Sequence, residues 1–497
     1  MLTASRKRSG SFGGRTAGRR AATAALCGAA LTAALGCGEP AGLPPSAPRI
    51  DYADGALEPV LVRGSPLLLE GFGFGAVRGV IRFTAAGGTV DALVPDSASW
   101  SDEIIRSNVP AAAVSGPLRV ITAGGLQLTI AVHVVALVPF DPTGLSWQPR
   151  TAFPRAPVGV ALAVAEFPSG NALSTTLLAA GGAEPLGGDS VFLVDSGVYV
   201  TPTQAGGAIG AWTRQSDLPA PRAFAAAAAA TRYNSRFDGS ALYLIGGIDA
   251  AGRPSATVLG AAIAPGGVTG TYQYLQPLPA PLAGAIAVVH RGRIYVMGGT
   301  DATGRPQQAV YVGRIGVDGR IDGWYAEPPL PAARAYGGGV VLEQRIVAFG
   351  GVADSVPPGG GLDSTPARLA TSDAAPVSPA SGFLTAGWNG AGVLLSEGRS
   401  QFATLDLGTV VMAVGGFYKS VRTAPVEALA ATVTAGTDSL GAFTGPVGAK
   451  SIADLGGGTL VGPAGATWRD SDGTRHGFVL GGFDLNTRLR KNGVWGF

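Results

Sequence analysis

Cysteine is nearly absent from this sequence. Only two occur among 497 residues, Cys27 and Cys37, and both lie near the N-terminus. The chain after Cys37 therefore has no disulfide and no clustered thiolates for a metal site. Its stability must come from buried apolar area, and the 460 residues that follow Cys37 (497 minus 37) are enough to build a large core.

Charge is also sparse. Charged residues make up 14% of the chain and hydrophobic residues 46%, with 78 glycines. This composition is typical of turn-rich β structure and not of helix bundles or disordered chains. The net charge of +3 comes from six basic residues before residue 21, because 36 minus 6 leaves 30 basic against 33 acidic residues. A basic surface for nucleic acid is therefore not expected.

Histidine is as scarce as cysteine. The three histidines, His133, His290 and His476, fall in separate segments, so no histidine-based metal site is expected. The sequence has no Gly-x-Ser-x-Gly nucleophile elbow and no Walker loop. Residues 470–473 (DSDG) begin like a calcium loop but lack the later glutamate, so they are interpreted as a polar turn. The sequence predicts no metal and no cofactor.

The N-terminus departs from this composition. Six basic residues precede an apolar stretch, 21–36, that is too short and small-residued for a membrane span. Residues 1–36 are therefore predicted to be a signal peptide for export, by the Sec or the twin-arginine route. The basic residues are Arg6, Lys7, Arg8, Arg15, Arg19 and Arg20.

The end of the signal, Ala34-Leu35-Gly36-Cys37, resembles the lipobox of bacterial lipoproteins. The resemblance implies cleavage before Cys37, lipidation of Cys37, and an exported protein anchored in the bacterial cell envelope, at the outer membrane. The alternative is an ordinary signal peptide with a chance cysteine. Residues 37–47, rich in Pro and Gly, are predicted to be a tether.

Residues 48–136 are predicted to form a separate domain of short strands. The run 64–75 (GSPLLLEGFGFG), together with the stretches 100–110 and 115–125, resembles the IPT/TIG family. The resemblance implies an immunoglobulin-like β-sandwich, a fold that usually serves as a spacer or interaction module and predicts no chemistry. The Trp100 side chain is expected to fill the core or the edge of this domain; the alternative is a platform for a ligand.

Six apolar runs that end in a double glycine organise the rest of the chain. Their first glycines lie 65, 52, 52, 65 and 66 residues apart, a spacing that indicates a repeat architecture. The glycines are expected to permit a sharp turn and the close approach of the next repeat. The pairs are Gly181 and Gly182, Gly246 and Gly247, Gly298 and Gly299, Gly350 and Gly351, Gly415 and Gly416, and Gly481 and Gly482.

Aromatic residues recur in phase with these glycines. Four of them stand six residues before an apolar residue followed by proline, and Trp388 keeps the apolar Leu394 but not the proline. Each repeat then reads as four strands, with the aromatic on the fourth, which is the pattern of a propeller blade. The aromatic residues are Trp147, Trp212, Tyr272, Trp324 and Trp388.

The double glycine followed by a tryptophan resembles the kelch repeat, over residues 145–497. The resemblance implies a six-bladed kelch-type β-propeller, so the predicted fold class is all-β. Because Trp147 precedes every double glycine, its strand is predicted to complete the last blade and to pair the open edges of the ring. Trp495 is then expected on the third strand of that blade.

Three arginines, Arg222, Arg334 and Arg399, are predicted at one mouth of the central channel, on the face that also holds the loop 352–366. Arginines at this mouth are expected to bind the carboxylate of an acidic sugar or of another ligand through charge-assisted hydrogen bonds. The alternative is that each arginine ties down a loop carbonyl in its own blade. Copper radical oxidases on kelch-type propellers need a cysteine cross-linked to a tyrosine and two histidines on copper; this class is excluded because the chain has no cysteine after Cys37 and its histidines are not clustered.

Two functions remain. The first is a membrane-anchored, non-catalytic binding or scaffold protein that recognises a protein or glycan partner through its propeller. The alternative is a sugar-active enzyme that resembles the kelch-type mutarotases of sialic acid. Such an enzyme needs a general acid or base beside an arginine, and Glu397 with Arg399 is the best local pair.

Overall fold

Strands dominate the described part of the chain. The computed structural model describes residues 47–169, 172–185, 192–342, 344–356, 367–378, 381–418, 427–434, 439–445, 447 and 459–497. These residues contain no α-helix and only three short 3-10 helices, Ser97–Ser99, Pro142–Gly144 and Ala205–Gly207. The all-β prediction is confirmed for them. The predicted signal peptide and Cys37 lie outside the described residues.

The hydrophobic patterns explain where the strands lie. The segments Ala241–Ile245, Arg293–Met297 and Val410–Val414 are buried at every position, as expected for strands with neighbours on both sides and both faces covered. By contrast, Gln127–Val135 alternates exposed and buried residues over most of its length, so one of its faces meets solvent. Residues Pro48–Phe497 form one compact unit.

Two sheets occupy the N-terminal region, residues 48–135, and share one core. Leu69 and Ile105 from the first sheet pack with Phe83 and Val120 from the second, all almost fully buried. The first sheet has the order β1 (Arg49–Ala53), β3 (Pro66–Phe72), β6 (Ile104–Asn108). The second has the order β2 (Val60–Val62), β8 (Gln127–Val135), β7 (Gly116–Ile121), β4 (Val80–Ala85), β5 (Gly88–Ala92).

Six further sheets follow, numbered 1 to 6 in chain order. Each has four antiparallel strands that lie side by side in the following order. Sheet 1 is β10 (Ala161–Ser169), β11 (Ala172–Ala180), β14 (Val198–Pro202), β15 (Thr213–Arg214). Sheet 2 is β16 (Ala226–Ala230), β17 (Ala241–Ile245), β18 (Val258–Ala264), β20 (Gln273–Tyr274), with β19 (Gly267–Val268) also paired to β18. Sheet 3 is β21 (Ile286–His290), β22 (Arg293–Met297), β23 (Val310–Ile315), β24 (Ile321–Ala326).

Sheets 4 to 6 repeat this plan. Sheet 4 is β25 (Gly338–Leu342), β26 (Arg345–Phe349), β27 (Thr371–Pro376), β28 (Asn389–Leu394). Sheet 5 is β29 (Ala403–Asp406), β30 (Val410–Val414), β31 (Ala428–Thr434), β32 (Ser439–Leu440). Sheet 6 is β34 (Ala464–Arg469), β35 (Arg475–Leu480), β38 (Val494–Gly496), β9 (Gln148–Pro149). Short additional strands are β12 (Ala183–Pro185), β13 (Phe192–Val194), β33 (Leu460–Val461), β36 (Phe483–Asp484) and β37 (Leu489–Arg490).

Sheet 6 joins the two ends of this repeated region. Its fourth strand, β9, precedes sheet 1 in the chain and pairs with the C-terminal strand β38, with Gly496 opposite Gln148 and Trp495 opposite Pro149. This is the pairing that the position of Trp147 predicts. Trp147 is buried and stands edge-on to Phe497, with ring centroids 5.1 Å apart. The closure thus removes two sheet edges that would otherwise be open.

The double glycines lie where neighbouring sheets meet. The second glycine of each pair donates its N–H to a carbonyl just before the next sheet, for example Gly299 to Arg334 and Gly482 to Pro157. A Cβ on Gly298 would stand 2.1 Å from that Arg334 oxygen, so no larger residue fits. All twelve glycines of the six pairs have positive φ, which glycine adopts without steric cost.

Three tryptophans repeat one contact between sheets. The indole N–H of Trp212 donates to the carbonyl of Thr151, that of Trp324 to Gln276, and that of Trp388 to Pro328, at 2.8 to 3.2 Å. Each acceptor belongs to the segment that follows the fourth strand of the preceding sheet. Tyr272 instead packs its ring against the core shared by sheets 1 and 2. These side chains fill the space between sheets.

Candidate binding site around the central cavity

The first strands of the six sheets surround one cavity. They are neighbours in the closed order β10, β16, β21, β25, β29, β34 and back to β10. The cavity has a volume of about 600 Å³, within the range of roughly 300–1,000 Å³ typical of ligand pockets. Small residues form much of its wall, since β16 is all alanine and β25 is preceded by and begins with glycines. The larger side chains that line it are mainly valines, with Leu162, Ile286 and Phe402.

Backbone hydrogen bonds close one end of the cavity. Immediately before each first strand, one residue donates its N–H to the equivalent carbonyl of the preceding sheet, at 2.8 to 3.2 Å. The six bonds form a closed circle, which we call the amide ring, and this end is the ring end. In order, the bonds run from Gly159 to Gly462, Phe224 to Gly159, Gly284 to Phe224, Tyr336 to Gly284, Gln401 to Tyr336 and Gly462 to Gln401.

Every residue of the amide ring has positive φ, between 52° and 66°. Glycine suits three of the positions, but Phe224, Tyr336 and Gln401 adopt a conformation that is unfavourable for side-chain-bearing residues by roughly 1–2 kcal/mol. The glycines make room for them: a Cβ on Gly159 would lie 2.5 Å from the Phe224 ring, and one on Gly284 would lie 2.3 Å from Tyr336. The two aromatic rings meet edge-to-face at 5.7 Å and narrow the ring end.

The three arginines predicted to bind a ligand lie near the ring end but are buried. Arg334 is fully buried, and its guanidinium donates to the Gly350 carbonyl at 2.7 Å and to the Asp373 carboxylate. Arg399 is equally buried and donates to the Gly415 carbonyl at 2.7 Å and to Glu427 at 3.0 Å. Arg222, 5% exposed, donates to the Thr257 hydroxyl at 2.8 Å.

The contacts of Arg334 and Arg399 match the alternative interpretation, in which each arginine ties down a loop carbonyl of its own sheet, whereas Arg222 holds the Thr257 hydroxyl of its sheet instead. Burial lowers the pKa of Arg334 and of Arg399, while the carboxylates of Asp373 and Glu427 oppose the shift. A ligand would have to displace those partners to reach the guanidinium groups, so direct binding by the three arginines stays a prediction. Glu397 is exposed, and the carboxylate hydrogen-bonded to Arg399 is Glu427.

Two arginines that the sequence interpretation missed do reach solvent at the ring end. Arg253 and Arg305 are exposed and occupy equivalent turns after the double glycines of sheets 2 and 3. In both turns an aspartate, Asp249 or Asp301, accepts hydrogen bonds from two backbone N–H groups and so fixes the loop. The signal was available as a repeated Asp-x-x-Gly-Arg-Pro motif.

Of the loop 352–366, only 352–356 is described, and Val356 is buried there.

The opposite end of the cavity, where the first and second strands turn, is called the hairpin end. Five half-buried polar residues line the cavity, so solvent reaches them; four lie toward this end, whereas Thr404 lies nearer the ring end, beside Gly338. The Glu166 carboxylate accepts a hydrogen bond from Arg469 at 3.3 Å, and the Asp406 carboxylate accepts one from the Gly408 N–H at 2.9 Å. The five residues are Glu166, Asn234, Thr404, Asp406 and Thr467.

The N-terminal region packs on the hairpin end through charge. Three arginines of the turns in sheets 2 and 3 pair with three carboxylates of that region at 2.7 to 3.4 Å. The N–H of Glu58 also donates to the Arg232 carbonyl at 2.9 Å, and the Arg236 guanidinium lies 4.5 Å from the centre of the Tyr52 ring. The pairs are Arg232 with Glu58, Arg236 with Glu70 and Arg291 with Asp54.

The histidines lie apart from one another. His133 contacts the Tyr233 hydroxyl at 2.9 Å, and His476 contacts Asp470 at 2.9 Å. Burial, with help from Arg291 and Arg293, lowers the pKa of His290 to about 3. Among the described residues, no group of three or more His, Cys, Asp or Glu side chains is placed to hold a metal ion.

Residues 470–473 form the turn between β34 and β35. Trp100 is buried, and its indole N–H donates to the carbonyl of Gly75.

No helix in the described ranges is long and apolar enough to cross a membrane.

Comparison with known proteins places the chain near kelch-repeat proteins. No family model matches it. A stretch of 158 residues, 31% of the chain, is 33% identical to beta-scruin from Limulus polyphemus and spans 16% of that protein. Beta-scruin is a kelch-repeat protein, and this similarity together with the all-β architecture supports kelch repeats and a β-propeller.

Proposed function

We propose that this protein is a lipid-anchored, non-catalytic binding or scaffold protein of the bacterial cell envelope. Sheets 1 to 6 act as the six blades of a kelch-type propeller that recognises a protein or glycan partner, and the N-terminal region is an immunoglobulin-like sandwich. The observation that carries the proposal is the amide ring, because a closed circle of six hydrogen bonds fixes all six sheets as one platform. Loops on a rigid scaffold are common binding surfaces.

The partner surface is assigned to the ring end. Arg253 is 76% exposed in its side chain, and Arg305 is exposed in the neighbouring turn. The Arg253 guanidinium donates to Asp249 at 2.9 to 3.0 Å, but that carboxylate is 30% exposed, so Arg253 can also donate to a ligand carboxylate or to sugar oxygens without leaving a buried charge unpaired. The buried Arg222, Arg334 and Arg399 then support sheets 2, 4 and 5, respectively, from within.

A matched pair of variants tests the surface. Arg253→Ala with Arg305→Ala should leave the melting temperature unchanged but weaken binding to any partner found on a protein and glycan array about tenfold or more. Arg214→Ala, an exposed arginine of β15 that pairs with Asp217, is the control. Normal partner binding by the double variant would place the partner surface elsewhere.

The anchor is tested separately at Cys37. We expect the mature protein to begin at Cys37 and to carry acyl groups, which mass spectrometry of membrane-extracted protein detects. Cys37→Ser should abolish the acylation and release the protein from the membrane fraction. A mature N-terminus at any other residue would contradict the lipoprotein assignment and leave the binding platform untouched.

A further inference from the structure

The central cavity has two unlike ends, and the hairpin end offers a second site that is independent of the ring-end surface. The ring end is narrowed by the rings of Phe224 and Tyr336 above the amide ring. At the hairpin end, the N-terminal region packs on turns of sheets 2 and 3, but with that region in place the polar cavity residues are still half-buried, so solvent can enter. A small molecule would therefore approach the cavity from the hairpin end.

The cavity walls offer both donors and acceptors. Each first strand is hydrogen-bonded within its sheet on one side only, so N–H and C=O groups of its other edge face the cavity. The hydroxyls of Thr404 and Thr467 add groups that both donate and accept. A ligand that only donates or only accepts would leave half of these groups unsatisfied, which is costly once water is displaced.

The charges decide between ligand classes. Among the described residues that line the cavity, Glu166 and Asp406 are acidic and none is Lys or Arg. An ionised carboxylate has about four acceptor sites, whereas these two carboxylates accept from Arg469 and from Gly408, respectively. Because Arg469 pairs with Glu166 and Arg475 lies beside Asp406, this end of the cavity has little net charge and favours neither an anion nor a cation, whereas hydroxyl groups would find acceptor capacity to spare.

We propose that the hairpin end of the cavity binds a small neutral polyhydroxylated molecule, of the size of a mono- or disaccharide. Its hydroxyls donate to Glu166 and Asp406 and accept from strand-edge N–H groups, and its carbon faces rest on the alanine and valine walls. The site needs no residue of the ring-end surface, so loss of one leaves the other intact.

Saturation-transfer NMR on the full chain in detergent tests the site with neutral mono- and disaccharides. Glucuronate is the anionic comparator, and 1,4-diaminobutane is the cationic one. We expect at least one neutral saccharide to bind at millimolar concentration and the two charged probes to bind at least tenfold more weakly. Binding of diaminobutane alone, or of no neutral saccharide up to about 10 mM, would overturn the proposal.

Two kinds of variant locate the binding. Asp406→Asn and Glu166→Gln should each weaken the saccharide about tenfold, the loss expected for a charge-assisted hydrogen bond. Ala227→Leu adds bulk to the cavity wall and should block binding by steric means alone. Asp472→Asn, in the exposed turn after β34, is the matched control. Saccharide binding that survives Ala227→Leu in a folded protein would exclude the cavity.

Discussion

Arginine has opposite roles at the two ends of the cavity. At the ring end, Arg334 and Arg399 are fully buried and hold carbonyls and carboxylates of their own sheets. At the hairpin end, Arg232 and Arg236 keep 35% and 25% of their side chains exposed and hold carboxylates of the N-terminal region. The position of an arginine within the repeat thus indicates where it lies along the sheet. Whether it supports its own sheet or joins two regions depends on how deeply its side chain is buried.

The largest expected effect is at the ring end. Arg334→Ala leaves Asp373, only 8% exposed in its side chain, without its cationic partner. Removing one member of a buried ion pair typically destabilises a protein by about 3–5 kcal/mol. We expect a loss of that size in chemical denaturation. Arg253→Ala is the control and should cost under about 0.5 kcal/mol. Similar losses in both variants would contradict the comparison.

Acid should destabilise the hairpin end. The pKa of His290 is lowered to about 3 by burial, whereas an unfolded histidine titrates near 6.5. Protonation therefore favours the unfolded chain, so the stability is complete above pH ~6.5 and declines as the pH falls toward 3. From pH 7 to pH 5 we expect His290 to account for a loss of about 2 kcal/mol. Urea titrations of the wild type and His290→Asn measure it, and equal acid losses would refute it.

Backbone conformation distinguishes the amide ring from ordinary strands. Tyr336 has φ of 57°, so Tyr336→Gly should be more stable than Tyr336→Ala by about 1 kcal/mol, although both lose the same ring. Tyr295, inside β22, supplies the control, because glycine there should be the worse replacement by about 0.5–1 kcal/mol. Thermal unfolding of the four variants tests this, and the same order at both positions would count against strain in the ring.

The smallest effect on stability is expected where the two regions meet. Partly exposed ion pairs contribute about 0–1 kcal/mol each, so Arg232→Ala with Arg236→Ala should barely shift the melting temperature of the sheets. The variant should, however, loosen the N-terminal region, which small-angle scattering detects as a larger radius of gyration. High salt should have the same effect on the wild type. An unchanged radius in both cases would mean that apolar contacts hold the regions together.

The sequence predicts the repeated architecture well, because local spacing carries it. The double glycines and tryptophans recur at fixed phase, and each repeat predicted from them as four strands is observed as a four-stranded sheet. The position of Trp147 also predicts the pairing of β9 with β38. These features depend on residues whose spacing a single chain displays.

Other features could not be read in that way. Nothing in the sequence marks Phe224 or Tyr336 as residues of positive φ, because aromatic residues rarely adopt it. The pairing of Arg236 with Glu70 joins residues 166 positions apart, which no local pattern encodes. The burial of Arg334 depends on Asp373, two strands away in its sheet, so its role becomes visible only in the folded structure.

Hydrogen exchange at the amide ring tests the closure of the six sheets most directly. The bond from Gly159 to Gly462 exists only if sheets 1 and 6 meet, whereas the bond from Gly284 to Phe224 joins sheets that are consecutive in the chain. Mass spectrometry should find a peptide that covers the donor Gly159 as slow to exchange as peptides that cover Gly284 and Gly462, whose N–H groups donate to Phe224 and Gln401 of the preceding sheets. Rapid exchange confined to Gly159, with Gly462 and Gly284 still protected, would show that sheets 1 and 6 do not meet and that the ring is open.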